Sequence, residues 1–449
     1  MLDDILKARE DRAHYKHFLE SQGRGTVVSF TINIPSGRKK NPKYSSWLCH
    51  LMMEEFAEAL SVSHFKTNFR ELRVGDDGPE GFMLVEETPY FLKQIGMEIE
   101  DNHSLGRLFD IDVGSVHRTD VGGNPRKCFV CNADAVECIV GRRHSKREIF
   151  NAIDHMITER DRRISKIVSE LASRAVLYEI GCTPKPGLVD RRDSGPHHDM
   201  NYFTFLNSSV TLSSYFQEIC EASCEHFHEP EMYYRKIIKI GRNAEKNMFD
   251  ATGGINTQKG LIFSLGLACA AATQAIRAFG GGDIKIISKT MSELSSHILS
   301  ITNEQAEINQ KEQTEPTHGE QVRRQFNVDG IIGEATGGFQ IAITVGLPSL
   351  KNALTKNYDF NDAMVHCLIS LMNRLEDSNV LYRGGRDALD YIHKTTGNIL
   401  KNGSIFSREG IEAIENLNVE LTRRNIGTGG AADMLALSVF LYFVEDARL

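Results

Sequence analysis

At 449 residues the chain is long for a single core, so two or three domains are expected. Hydrophobic residues at 41% and charged residues at 25% are ordinary for a soluble globular protein. The formal charge of −8 excludes a nucleic-acid binder held by a global basic field, while local basic patches stay open.

The opening MLDDILKAREDRAHYK carries no apolar signal core and reads as a charged helix. Nine cysteines, an odd number, fit a reducing cytoplasmic setting with free thiols or metal ligands. Residues 26–35, TVVSFTINIP, are β-branched and end at Pro35, which predicts a strand. Residues 81–87, GFMLVEE, and 107–113, RLFDIDV, are further strand candidates, and 45–61 has apolar positions at helical spacing. The charged run 158–163, TERDRR, is the best boundary, although with no Pro or Gly it can also be the middle of one helix. Beyond it Ile164, Ile167, Val168, Leu171, Ala175 and Val176 mark one face of a helix that stops at Gly181. From there onward long helical segments alternate with Gly-containing loops. Leu261–Phe279 and Met434–Val444 are apolar, but the first holds Gln274 and Arg277 and the second is too short to span a membrane, so both read as core helices. The polar stretch 306–320 is expected to be a mobile loop. The expected architecture is an α+β domain over 1–160 followed by a mostly all-α domain over 161–449.

In RLFDIDV, side-chain alternation puts Asp110 and Asp112 on one face of a strand. Neighbouring carboxylates repel unless a proton or cation stands between them, so Mg2+ bridging to a phosphate is one reading. Two solvated acids on an edge strand are the other. Cys128, Cys131, Cys138 and His144 form C-x2-C-x6-C-x5-H, which suits tetrahedral zinc as well as reduced, buried thiols.

In the second half TPKPGLVDRRDSGPHHDMN, residues 183–201, offers Lys185 and Arg191 to phosphate. It also offers Asp190 and Asp199 to metal or a hydroxyl; His197 and His198 lack the spacing of a metalloprotease helix and suit hydrogen bonding. Residues 241–266, GRNAEKNMFDATGGINTQKGLIFSLG, set Gly253, Gly254, Asn256 and Lys259 at a helix start, where free N–H groups and a lysine favour polyphosphate. An ordinary Gly-rich connection reads the same way. Further acids and amides recur in similar turns: Glu245, Glu334 in GEATGG, Asp377 and Asn379 beside Arg383 in DSNVLYRGG, and Asp433 in GTGGAADM. No P-loop occurs, and GTGGAA leaves no room for the strand that a dinucleotide fingerprint needs.

Two resemblances follow from these motifs. LDDILKAREDR, TINIPSGRKKN, GPEGFMLVEE, HSLGRLFDIDV and RKCFVCNADAVEC resemble the citrate lyase holo-acyl-carrier-protein synthase family. That likeness implies a nucleotidyltransferase that moves phosphoribosyl-dephospho-CoA onto a serine of the lyase's acyl-carrier (gamma) subunit with loss of pyrophosphate. It also implies that Arg107, Asp110 and Asp112 handle Mg2+ and triphosphate. TPKPGLVDR, SGPHHDM, GRNAEKNM, ATGGINTQKG, GEATGG, DSNVLYRGG and GGAADMLA resemble the triphosphoribosyl-dephospho-CoA synthase family. The reaction implied is ATP plus dephospho-CoA to 2′-(5″-triphosphoribosyl)-3′-dephospho-CoA and adenine. The expected roles are Asp199 and Asp377 as the carboxylate pair at the ribose, and Asn256 or Asn379 on adenine. Glu245 and Glu334 are expected on Mg2+, with Lys185, Lys259 and Arg383 on the triphosphate. Gln258 stands where that family usually has histidine, Asn201 where it has a second acid, and Ile332 where an arginine precedes GEA. Alternatives are a kinase-like ATP enzyme, a zinc-bearing nucleotide sensor, and the same chemistry serving malonate decarboxylase.

Overall fold

The computed structural model describes residues 2–23, 25–35, 46–225, 229–308 and 318–447. Part of TINIPSGRKKN and most of the 306–320 stretch lie outside them. The chain forms two compact units, one holding residues up to Ile164 with Ile276–Gly280, the other holding Ser165–Ala275 and Gly281 onward.

The first unit is a four-stranded antiparallel sheet with helices. Its order is β2-β3-β1-β4, with β1 Thr26–Ile32, β2 Thr67–Gly75, β3 Gly78–Val85 and β4 Phe109–Val113. The helices are α1 Leu2–Ser21, α2 Ser46–Val62, α3 Pro89–Asn102 and the short α4 Ala135–Val140. Alternation sorts the strands cleanly. Phe30 stacks edge-on against Phe56 of α2, and Ile111 faces Gly96 of α3, so one sheet face is the core. The opposite face carries in register Arg73, Glu80, Thr31 and Asp110, a polar row across all four strands. Arg12 of α1 pairs with Glu80 there, and Arg73 lies 2.6 Å from the other oxygen of Glu80.

Three of the strands fall where β-branched or alternating runs place them, although β4 begins only at Phe109, after a 3-10 turn at Gly106–Leu108. Strand β2 was not anticipated. Arg70, Glu71 and Arg73 make it too polar to read as a strand alone, and its pairing with β3 and the bond from the Tyr15 hydroxyl to Glu71 (2.6 Å) hold it.

His103, at the end of α3, is buried against Phe109, and burial pushes its pKa down to about 3, helped by the Arg160 cation. A depressed histidine binds fewer protons folded than unfolded. Its contribution to stability is therefore complete above about pH 6.5 and falls on acidification toward about pH 3. Thermal melts at falling pH should show a steeper loss for the native chain than for His103→Phe. Equal pH slopes for the two would mean that His103 is protonated in the fold.

Helix α5, Lys146–Gly181, runs unbroken through the charged boundary sequence. Beyond α5 come α6 Tyr202–Glu225, α7 Pro230–Ala251, α8 Lys259–Phe279, whose last residues from Ile276 belong to the first unit, α9 Ile284–Ile308, α10 His318–Phe326 and α11 Gly330–Thr336, the rest of them in the second unit. These are followed by α12 Leu347–Thr355, α13 Phe360–Met372, α14 Ser378–Lys401, α15 Arg408–Arg423 and α16 Gly429–Glu445. Helix α8 is long and apolar enough to span a membrane by composition, yet 83% of its apolar window is buried within the protein, as is most of α16. Helix α14 breaks at Gly385, whose φ of 67° an L side chain rarely adopts, so the chain turns directly after Arg383.

Candidate active sites

In the second unit, the TPKPG loop is buried although it is a loop. Lys185 donates to the Glu179 carboxylate (2.6 Å) and to the Glu179 carbonyl (3.0 Å), and both side chains are almost fully enclosed. The Asp190 carboxylate accepts from the backbone N–H groups of Lys185, Arg192 and Asp193 at 3.1, 2.7 and 3.1 Å. Both residues, expected at phosphate and metal, are here built into the turn: a buried ammonium needs a partner, and so do buried N–H groups. Arg191 keeps an exposed side chain while its Nε donates to Thr183 (3.1 Å). The Thr428 hydroxyl donates to the Pro186 carbonyl (3.1 Å), which ties this loop to the start of α16.

The starts of α8, α14 and α16 meet. Asp377 caps α14, accepting from Asn379 N (2.8 Å), and its other oxygen accepts from Ala431 N in the first turn of α16 (3.1 Å). Asp433, one turn into α16, faces Gly260 in the first turn of α8. A Cβ on Gly260 would stand 2.1 Å from the Asp433 carboxylate, and one on Gly430 would stand 3.0 Å from that of Asp377. Gly260 and Gly430 are thus needed for the approach of the two acids, and Gly429 for that of the Asn379 amide, not for flexibility. Burial raises the pKa of Asp377. It raises that of Asp433 well above the ordinary range, reinforced by the Glu179 and Asp377 carboxylates. Since Lys185 already neutralises Glu179, this pair of acids needs a proton or a cation.

Around that centre Asn379 lies against Gly429, and Lys259 pairs with Glu245 at 3.0 Å. Asn256 accepts from Lys259 N (3.3 Å), closing the turn that opens α8. His197 packs against Gly427; its pKa is lowered by burial and by the Arg383 cation, against the opposing pull of Asp199. Asp199 itself is exposed. Glu334 accepts from Ile341 N (3.3 Å) within its own turn, and burial raises its pKa. Glu334 thus has its hydrogen bond from Ile341 N, while Glu245, the other acid expected on Mg2+, pairs with Lys259. Gln258 accepts from Ser208 (2.5 Å) in the buried base of α8, and Asn201 caps α6.

In the first unit Asp110 and Asp112 project from the sheet-edge strand β4. Asp110 accepts from Thr31 (3.0 Å) and pairs with Arg126 (2.8 Å); Asp112 is exposed, 3.8 Å from the buried Lys93. The outer backbone edge of β4 is closed by side chains. Glu100 accepts from Ile111 N (2.8 Å), Lys93 donates to Ile111 O (2.6 Å), and Arg126 donates to Phe109 O (3.2 Å). Arg107 donates to the Cys128 carbonyl (3.1 Å). Cys128, Cys131, Cys138 and His144 gather with their donor atoms all within 4.8 Å of one another.

Comparison with known proteins gives two adjoining matches. Residues 165–448 match the family described as CitG: ATP:dephospho-CoA triphosphoribosyl transferase, and residues 1–160 match CitX: Apo-citrate lyase phosphoribosyl-dephospho-CoA transferase. Protein CitXG of Leuconostoc mesenteroides subsp. cremoris is 30% identical over 98% of this chain and 96% of its own. Protein CitXG of Haemophilus influenzae is 29% identical over 98% of this chain and 95% of its own. The chain belongs to the CitXG family. A Streptococcus mutans protein described as a probable 2-(5''-triphosphoribosyl)-3'-dephosphocoenzyme-A synthase is 33% identical over 62% of this chain and 96% of its own. As a CitXG member the chain is a transferase with two activities, and both resemblances read from its motifs hold. Several residues of these sites lie outside the motifs, namely Glu179, Lys93 and Glu100, and Arg126 opens RKCFVCNADAVEC without a feature that singles it out. Each is an ordinary helix or loop charge in the sequence, and no local signal marks it.

Proposed function

We propose that the second unit binds the triphosphate of ATP where α8 and α16 begin, and transfers the triphosphoribosyl group to dephospho-CoA. The observation that carries this is the juxtaposition of Asp377 and Asp433 with two long-helix N-termini, made possible by Gly260 and Gly430. Helix starts favour phosphate, while two crowded acids favour a divalent cation that phosphate can share. Asp377 and Asp433 are therefore the residues present to hold Mg2+, which supplies charge neutralisation on the triphosphate. They replace Glu245 and Glu334 in that role. Lys259 and Arg383 add positive charge at the rim.

The reaction breaks the C1′–N9 bond of ATP and forms a bond from C1′ to the 2′-oxygen of dephospho-CoA. Asp199 takes the proton of that hydroxyl, and its charge offsets the oxocarbenium character at C1′. Adenine departs with the electron pair of the broken bond and gains a proton; Asn379 or Asn256 would hydrogen-bond it. His197, kept neutral by burial and Arg383, can accept a hydrogen bond beside Asp199.

In the first unit a serine oxygen of the carrier attacks the phosphorus nearest the ribose of the product, its proton passes to water, and the bond to pyrophosphate breaks, the departing pyrophosphate keeping the electron pair. Asp110 and Asp112 would hold Mg2+ on the departing pyrophosphate, with Arg107 and Arg126 beside them. The acyl-carrier (gamma) subunit of citrate lyase is the partner, and the cytoplasm is the setting in which ATP, dephospho-CoA and that carrier meet.

Incubation with ATP, dephospho-CoA, Mg2+ and apo-carrier, followed by mass analysis, tests the reading. Free adenine and a carrier heavier by phosphoribosyl-dephospho-CoA are expected. ADP in place of adenine would overturn it, and near-normal adenine release by a folded Asp199→Asn protein would remove Asp199 from its role.

A further inference from the structure

We infer that Cys128, Cys131, Cys138 and His144 hold one structural Zn2+, and that the knuckle it closes positions Arg126 and Arg107 at the Asp110 strand. Tetrahedral donors about 2.3 Å from zinc stand roughly 3.7 Å apart. Here Cys131 Sγ is 3.4 Å from Cys138 Sγ and 3.2 Å from His144 Nε2, and all four donors fall within 4.8 Å. The backbone has the form of a knuckle. Cys128 N donates to Ala133 O (2.7 Å), Lys127 bridges to Asp134, and Asn132 takes a positive φ of 60° to turn the chain. Val130 N points at Cys128 Sγ (3.4 Å), a donor that steadies a thiolate.

Local packing alone leaves this segment weakly held. Asp134 caps α4, which is only six residues long, and Val136, Ile139 and Val140 on that helix are exposed. A four-ligand metal would supply the cross-link that so small an apolar content cannot. Four protein ligands leave no open position, which makes the site structural rather than catalytic. Binding releases the protons of the three thiols. Three sulfurs with one imidazole select zinc over magnesium or calcium, which prefer oxygen.

The knuckle reaches the transferase strand through two adjacent arginine links. Arg126, two residues before Cys128, pairs with Asp110 (2.8 Å) and Glu100 (2.6 Å), and its carbonyl is bonded by Ala135 N (2.8 Å). The Cys128 carbonyl receives Arg107 (3.1 Å). Arg126 is thus a positioning residue whose own backbone the metal loop holds. The metal assignment is independent of the activity reading; the positioning assignment rests on it.

Full-length protein purified without chelator should carry about one tightly held zinc per chain by elemental analysis. Cys131→Ser and His144→Ala, at exposed or half-buried positions, should lose it, while His144→Cys should retain it. In the two depleted proteins carrier modification should fall about 10–100-fold through kcat, with KM for the carrier little changed. Adenine release from the same samples should be unaffected, which shows that the chain is folded. Full-length protein that takes up no zinc overturns the site. So does a Cys131–Cys138 disulfide in native protein, or zinc content in the Cys131→Ser and His144→Ala variants equal to that of the native protein. Zinc loss with normal carrier modification overturns the positioning role alone.

Discussion

Asp433→Asn is expected to slow adenine release by about 100–1,000-fold, the usual cost of deleting one group that holds transition-state charge. The substitution keeps the shape that fits against Gly260, where there is no space for a larger side chain, and changes only charge. In the native site that charge is costly without its ligands: burial, Glu179 and Asp377 all favour the protonated acid. The ligand-free variant should therefore be at least as heat-stable as the native chain, because a crowded carboxylate has been removed. Mg2+ with ATP should raise the melting temperature of the native protein more than that of the variant. Chromatographic adenine assays and paired melts measure both. A fully active variant would place the triphosphate elsewhere, and a variant that loses both activity and stability would make Asp433 a structural residue.

Asp110→Asn should abolish carrier modification to a similar degree, about 100–1,000-fold, while adenine release continues at the native rate. Asp110 is half-buried between Thr31 and Arg126, and an amide can still accept from Thr31 but presents no charge to Arg126 or a metal. Loss of a partly solvated ion pair of this kind costs about 1 kcal/mol or less, so folding should survive. Accumulation of the triphosphoribosyl intermediate by mass spectrometry is the positive sign. If adenine release fell in parallel, the two activities would not be separable by unit, and the assignment of one reaction to each family match would be lost.

The residues that spoke for themselves in the sequence did so through short-range physics. TVVSFTI and FDIDV alternate, so their strand faces, and the shared face of Asp110 and Asp112, follow from a period of two. The face Ile164, Val168, Ala175 and Val176 follows equally from helical spacing, and all four are buried. Glycine-plus-carboxylate turns recurred in the sequence, and in the fold Gly430 and Gly260 let Asp377 and Asp433 approach closely. Lys185 is the instructive difference. Its place between two prolines reads as a loop lysine free to meet phosphate. The acid that engages it, Glu179, lies on α5, where a helix acid normally faces water. Strand β2 was likewise illegible, since its own residues are polar and its pairing with β3 and the Tyr15 bond hold it, and so was the reach of Arg126 to Glu100 and Asp110, which only the folded sheet brings together.

Family membership, the order of the two halves, the strand and helix faces and the four spaced metal donors are written in the linear chain, because each depends on residue type and spacing over a few turns. Which acids crowd depends on segments well over a hundred residues apart in the chain, and even the lysine neutralised by a nearby helix acid and the arginine that reaches the edge strand are set by how the elements pack. Asp190 accepts from its own turn, whereas Asp377 accepts from Ala431, 54 positions away. The two carboxylates look alike as letters; burial and hydrogen-bond geometry, which exist only once the helices pack, separate the loop cap from the site.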